Sequence, residues 1–242
     1  MAEPARTDAP AALLPAVVAA LEEDIVLGQL HPRERLIEEE LAARFGATRH
    51  TIRQALAELE RMGLIERIPN RGALVKAYSL AEVEQLYALR GLLETQAAQQ
   101  IPLPLAAGAL ETLREVQARH DAAVESGDPR AAFRANIAFH RALFLGCGNV
   151  FLAGVIEDLA LRAHGIRFAS LAEPQRLAQA RAEHHAILAA LESGDRAALV
   201  RLCGEHLLPS KEAYLRAQAA SWPEPATSPA PGGNPCHDRY HP

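Results

Sequence analysis

"GATRHTIRQALAELERMGLIERIPNRG", residues 46–72, decides the fold. Gly46 closes one helix, and Thr48 stands where an N-cap would open the next. Ile52, Leu56 and Leu59 recur at helical spacing and therefore face a core. Arg49 and Arg53, one turn apart, share the opposite side. The helix stops at Gly63. "LIERI", "PNRG" and "ALVKA" follow, two short apolar–polar alternations about a Pro-Asn-Arg-Gly turn, which predicts a β-hairpin.

Upstream, Leu13, Leu14, Val17, Val18, Leu21, Ile25 and Val26 mark a first helix closed by Gly28, and "IEEELAARF" (37–45) marks a second. Helix, helix, turn, helix and hairpin describe a winged helix-turn-helix over residues 11–78. Charge divides it. The chain is net acidic, 25 Lys+Arg against 30 Asp+Glu, yet residues 44–76 hold seven basic residues and three acids, whereas 12–43 hold two arginines and seven acids. The third helix of such a motif lies in the major groove of double-stranded DNA. Arginine grips guanine edges or phosphate in two-pronged fashion. Arg49 and Arg53 are therefore candidate DNA contacts, with Thr48 and Thr51 adding phosphate or methyl contacts. At the hairpin tip, Arg71 and Gly72 suit a wing that reaches phosphate or minor groove.

After Tyr78 only helices are predicted, over about 79–101, 105–126, 129–145, 149–170, 174–193 and 195–219. "SLAE" (79–82) is a capping box that opens the first. The breaks, "PLP", "SGDP", "GCGN", "EP" and "SGD", carry turn and cap chemistry. Six helices joined by short loops read as an antiparallel bundle over 79–220. The expected class is mostly α, a winged helix-turn-helix followed by an all-helical bundle, with a flexible tail at 1–10 and a Pro/Gly-rich, disordered one at 221–242. No apolar run is long enough to cross a bilayer, and "MAEPARTDAP" lacks the apolar centre of a secretory signal. Cys147, Cys203 and Cys236 lie far apart, which fits a reducing, cytoplasmic setting. The first two read as small buried hydrophobes.

In the bundle, Asn136 and His140 are i, i+4 neighbours on one helix, His184 and His185 sit on another, and His206 lies 22 residues beyond His184. Antiparallel helices can bring such residues to one height. Three imidazoles and one oxygen would suit zinc, or alternatively nickel or manganese. Spacing alone leaves hydrogen-bonded core histidines as the other reading.

"LEEDIVLGQLHPRERLIEEELAARFGATRHTIRQALAELERMGLIERIPNRGALV" (21–75) resembles the DNA-binding domain of GntR-family bacterial transcription regulators. The matching elements are the G-x-L-x-P-x-x-x-L entry (28–36), E-x-E-L-A-x-R-F-G (38–46), R-x-x-[VI]-R-x-A-L (49–56) and G-L-[IV]-E-R-x-P-N-R-G (63–72). The resemblance implies DNA contacts by Arg35, Arg49 and Arg53, and a wing glycine, Gly72, in the minor groove. Two positions depart from the pattern: Arg33 replaces the usual glycine after the entry proline, and His50-Thr51 replaces a common Thr-Pro.

"LYALRGLLE" (86–94), "NIAFHRALFLGCGN" (136–149), "EHHAILAALESGD" (183–195) and "EHL" (205–207) resemble the FCD ligand-binding domain of the FadR branch, in its shorter, VanR-like six-helix version. That resemblance implies a metal held at Asn136, His140, His184 and His206, where members often carry Asp at the first position. It leaves His185 out. It also implies a small organic acid as effector, met by Arg90, whose other reading is an i, i+4 ion pair with Glu94. Arg134 and Arg162 are possible cavity residues that the sequence does not place. The expectation is a homodimeric repressor that reads a palindromic operator and responds to a carboxylate. One rival is a DNA-binding dimer with a purely structural bundle. A metal-dependent hydrolase is a weaker one, since no HExxH or nucleophile motif is present; no enzyme is expected.

Overall fold

In the computed structural model, residues 10–68, 72–171 and 174–221 are described. Both tails, the hairpin tip with Asn70 and Arg71, and Cys236 lie outside them. The N-terminal part runs α1 (Pro10–Val26), β1 (Arg35–Leu36), α2 (Glu38–Phe45), α3 (Arg49–Arg61), β2 (Ile65–Ile68) and β3 (Gly72–Val75). Val17, Leu21 and Ile25 of α1 pack with Leu41, Ile52, Leu56 and Leu59 into one apolar cluster, which the inner faces of the strands close.

Local chemistry sets each boundary. Gly46 takes the left-handed conformation at the end of α2, with φ 59°. Thr48 accepts a bond from the Thr51 amide at the start of α3. The hairpin gains a third, two-residue strand that periodicity did not suggest: β1 pairs with β3, giving the antiparallel order β1-β3-β2. Arg33, on the loop into β1, has φ 70°. A side chain at that φ is strained by about 1–2 kcal/mol, which explains why the related motif has glycine there. The Arg33 amide, bonded to the Val75 carbonyl at 2.8 Å, helps fix this turn.

The C-terminal part is all helical among the described residues: α4 (Leu80–Gln100), α5 (Ala107–Ser126), α6 (Pro129–Leu145), α7 (Val150–Leu171), α8 (Pro174–Ser193), α9 (Arg196–Glu205) and α10 (Leu208–Ser221). All six expected segments are present, but the last is divided at His206–Leu207, so seven helices stand where six were read. Pro209 gives the reason, because it lacks the N–H that would bond back to Glu205. The Ser79–Glu82 capping box forms as read, and Asp128 and Asp195 cap α6 and α9. Cys147 and Cys203 are free and buried, and burial pushes the Cys203 thiol up to about 12.

Tyr78 joins the two parts. Its hydroxyl donates to the Gly63 carbonyl at 2.7 Å, while its own backbone N–H and C=O are both held by the Tyr214 hydroxyl of α10. Burial pushes the Tyr78 phenol up to about 12.

Candidate functional site

The amphipathic α3 turns Ile52, Leu56 and Leu59 inward and leaves Arg49 and Arg53 in solvent, with side chains 62% and 61% exposed. Each is paired with an acid from the first turn of α2, Arg49 with Glu39 and Arg53 with Glu38 at 2.8 Å. Exposed pairs of this kind are worth about 0–1 kcal/mol, so a phosphate or base edge can displace them at little cost. Arg35 is exposed on β1, and Gly72 opens β3 with φ 83°. Arg67 of β2 donates to the Arg53 carbonyl at 2.9 Å, which ties the hairpin to α3. The N-cap role of Thr48 engages its hydroxyl, which also lies 2.9 Å from that of Thr51.

In the bundle, α6, α8 and the end of α9 bring His140, His184 and His206 together, with one ring nitrogen from each within 4.8 Å of the others. Outer partners fix two of the tautomers. His206 Nδ1 donates to Glu183 at 2.5 Å, which leaves Nε2 with a lone pair facing His140 Nε2 at 3.0 Å. His184 Nδ1 donates to the Gln117 carbonyl oxygen at 2.9 Å, and the Gln117 amide in turn donates to Asp121. His184 is fully buried and its Nε2 has no partner. Inward lone pairs with outward N–H groups held by an amide and a carboxylate are the arrangement of metal-binding histidines. Burial keeps His140 and His184 well below the usual imidazole range, so both are neutral donors. The donor set fits a divalent transition ion.

Two cavities flank the cluster. The larger, about 150 Å³, lies between α4, α6 and α7, with Arg90, Glu94, His140, His164 and Arg167 on an otherwise mostly apolar wall. The smaller, about 70 Å³, is lined by Asn136, His120, Arg167, Glu183, His206 and Ser210. The ion-pair reading of Arg90 holds, its Nε donating to Glu94 at 2.9 Å, and the residue also lines the larger cavity with its Nη1 buried and without a hydrogen-bond partner. Asn136 faces the smaller cavity but makes no side-chain hydrogen bond to the three histidines. His185 points away to Asp121 at 3.0 Å. Arg134 pairs with Glu23 instead of lining either cavity, and Arg162 packs beside Gly63 and Tyr78.

The model of the bacterial regulatory protein GntR family matches residues 14–75, and that of the FCD domain matches residues 85–208. The chain belongs to the GntR family and carries an FCD domain. It is a transcription regulator, not an enzyme. Among its relatives is the HTH-type transcriptional repressor RspR of Escherichia coli (strain K12), 26% identical over 207 residues, 84% of this chain and 90% of that one. The arabinose metabolism transcriptional repressor of Geobacillus stearothermophilus is 37% identical over 92 residues, 38% of this chain and 25% of that one. The fold is also that of E. coli McbR/YncC, with a TM-score of 0.72 at 22% identity over 85% of this chain and 98% of that one. No described helix is long and apolar enough to cross a membrane.

Besides Gln117, three buried polar residues of this FCD bundle escaped the sequence reading. Arg167, on α7, lines both cavities, and burial together with the neighbouring Arg90 guanidinium lowers it to about 10. His164, one turn earlier, contacts Glu22 of α1 through Nδ1 at 2.6 Å. His120, on α5, is buried with its ring 4.9 Å from that of His184. Each interrupts an ordinary amphipathic pattern, and only the stacking of the helices makes it a wall residue.

Burial pushes His120 down to about 4. A histidine held neutral in the fold adds stability above the unfolded value near 6.5, which is lost as pH falls toward the folded one. In chelator-treated protein His120 alone should cost about 2 kcal/mol between pH 7 and pH 5. Urea midpoints at the two pH values, with His120→Gln for comparison, measure this; an equal loss in the variant would contradict it.

Proposed function

We propose that this regulator is a homodimeric repressor whose grip on a palindromic operator is tuned by a small carboxylate bound beside a metal in the bundle. One observation carries the ligand part. The buried side-chain polar atoms without a hydrogen-bond partner among the described residues are Arg90 Nη1, His120 Nδ1, His140 Nδ1 and His184 Nε2, and all four surround the histidine cluster. An unmade bond on a buried polar group costs about 1–3 kcal/mol, so four at one place favour a site built for an ion and a polar ligand. His140, His184 and His206 would hold the ion, while Asn136, the oxygen donor expected from sequence, lines the smaller cavity beside them. Bound there, a divalent ion would offer a Lewis-acidic anchor to a carboxylate oxygen. Arg90 Nη1 would meet a second oxygen, and the apolar wall of the larger cavity would exclude water.

On the DNA side, Arg49, Arg53, Thr48 and Thr51 would enter the major groove, with Arg35, Arg71 and Gly72 on the flanking backbone and minor groove. The exposed apolar side chains Leu92, Val150, Phe151 and Val155, with Phe151 84% exposed, support pairing with a second copy. Names of relatives such as RspR support repression. A bacterial DNA-binding regulator of this family would act in the cytoplasm. Fluorescence anisotropy on DNA from the chain's own upstream intergenic region, with a thermal-shift screen of organic acids in zinc, tests the reading. Binding to that DNA and a shift with one acid are expected. No shift with any acid or metal would favour the purely structural bundle.

The route from cavity to DNA runs through α1. His164, in the cavity wall, holds Glu22, while Arg130 and Arg134 of α6 hold Glu23, the former at 3.0 Å. A ligand that prefers one placement of α6 against α7 would thereby bias the DNA-binding domain. Glu22→Ala should leave the acid's thermal shift intact and reduce its effect on DNA affinity by about 0.5–2 kcal/mol. Undiminished coupling in an otherwise stable variant would exclude this route.

A further inference from the structure

We propose that His120 completes the metal site as its fourth nitrogen donor, in the place that Asn136 was expected to fill. The inference rests on the metal reading above and concerns which side chain finishes the donor set. His120 is 1% exposed, and its Nδ1 lacks a partner. A buried imidazole with an orphan nitrogen needs an ion or water to account for it. Its ring lies 4.9 Å from that of His184, and the three converging rings are separated from one another by 4.8–5.1 Å. No other described histidine lies so near the cluster without a polar partner.

The helix that carries His120 is already committed to the site. Gln117 and His120 are i, i+3 on α5 and therefore share a face. Gln117 is the residue that holds His184. The adjacent Asp121 is fastened to α8 by Arg181 at 3.0 Å and by His185 at 3.0 Å. This pins α5 at the height of the cluster. Reaching the ion requires a side-chain rotation into the smaller cavity, which His120 lines together with Asn136 and His206.

Donor chemistry favours the same choice. With Asn in place of the usual Asp, the oxygen donor is neutral and weak, whereas imidazole is a good ligand for zinc, cobalt and nickel. A four-nitrogen set leaves Asn136 free to hydrogen-bond a ligand in the cavity. It also leaves the bound ion with its full double charge, a stronger attractor for an anion than a carboxylate-ligated one.

Cobalt(II) added to the chelator-treated full-length chain reports coordination through its visible absorption. His120→Gln should weaken cobalt binding by at least about tenfold and reduce the four-coordinate bands, as expected for loss of a ligand. Asn136→Ala should change neither. His120→Cys places a thiolate at the same position and should add a sulfur-to-cobalt charge-transfer band, a readout independent of affinity. The inference is overturned if His120→Gln binds cobalt like the wild type, or if Asn136→Ala takes the loss and His120→Cys shows no such band. A wild-type chain that binds no cobalt at all would instead sink the metal reading itself.

Discussion

Replacing Arg49 and Arg53 together by alanine should weaken operator binding by about 2–6 kcal/mol, roughly 30-fold to 10⁴-fold. Both guanidinium groups stand in solvent at the start of α3, on the side away from Ile52, Leu56 and Leu59. Among the described residues they pair only with Glu39 and Glu38, and the loss of two exposed ion pairs should lower stability by no more than about 1 kcal/mol each. The variant should therefore fold, dimerise and take up metal like the wild type while failing on DNA. Fluorescence anisotropy at fixed salt, paired with thermal melting, separates the two effects. Unchanged affinity would show that α3 is not the reading helix.

Zinc at a free concentration of about 100 times its Kd should stabilise the chain by about 2.7 kcal/mol. For a chain of this size that corresponds to a rise in Tm of roughly 5–11 °C. The magnitude is set by the ratio of free zinc to Kd; the arrangement of the site, with His184 and His206 oriented from outside by Gln117 and Glu183, favours a tight Kd because little freedom is lost when an ion binds. Chelator should reverse the rise. His140→Ala removes a converging nitrogen without touching those outer contacts, and it should abolish most of the shift. A full shift retained in His140→Ala would show that zinc stabilises the chain from elsewhere.

The DNA-binding half was legible because its information is local. Gly46, Thr48 and Gly63 punctuate α3 within a few residues of where they act, and the alternation around 65–75 encodes a hairpin by itself. The short β1 was not, since two residues carry no periodicity and pair only once β3 is in place. The three converging histidines were legible in part. His140 lies one turn from Asn136, and the "SGD" turn sets the spacing between His184 and His206, but nothing local says which of His184 and His185 faces inward. That choice belongs to α5, where Gln117 takes the one and Asp121 the other. His120, His164 and Arg167 were missed for the same reason. A polar residue on an amphipathic helix reads as solvated until the packing of seven helices encloses it. The end of α9 was overread because "HLLP" looks helical until the missing amide of Pro209 is counted.

The most direct test of ligand control is operator affinity measured in four states: wild type and His140→Ala, each at the same free zinc concentration, with and without the acid that gives the largest thermal shift. The expected result is a change of about 5–150-fold on adding the acid to the wild type, and none in His140→Ala, with both proteins gripping the acid-free operator equally. An acid that alters the two affinities by the same factor, or neither, would contradict control through the histidine cluster.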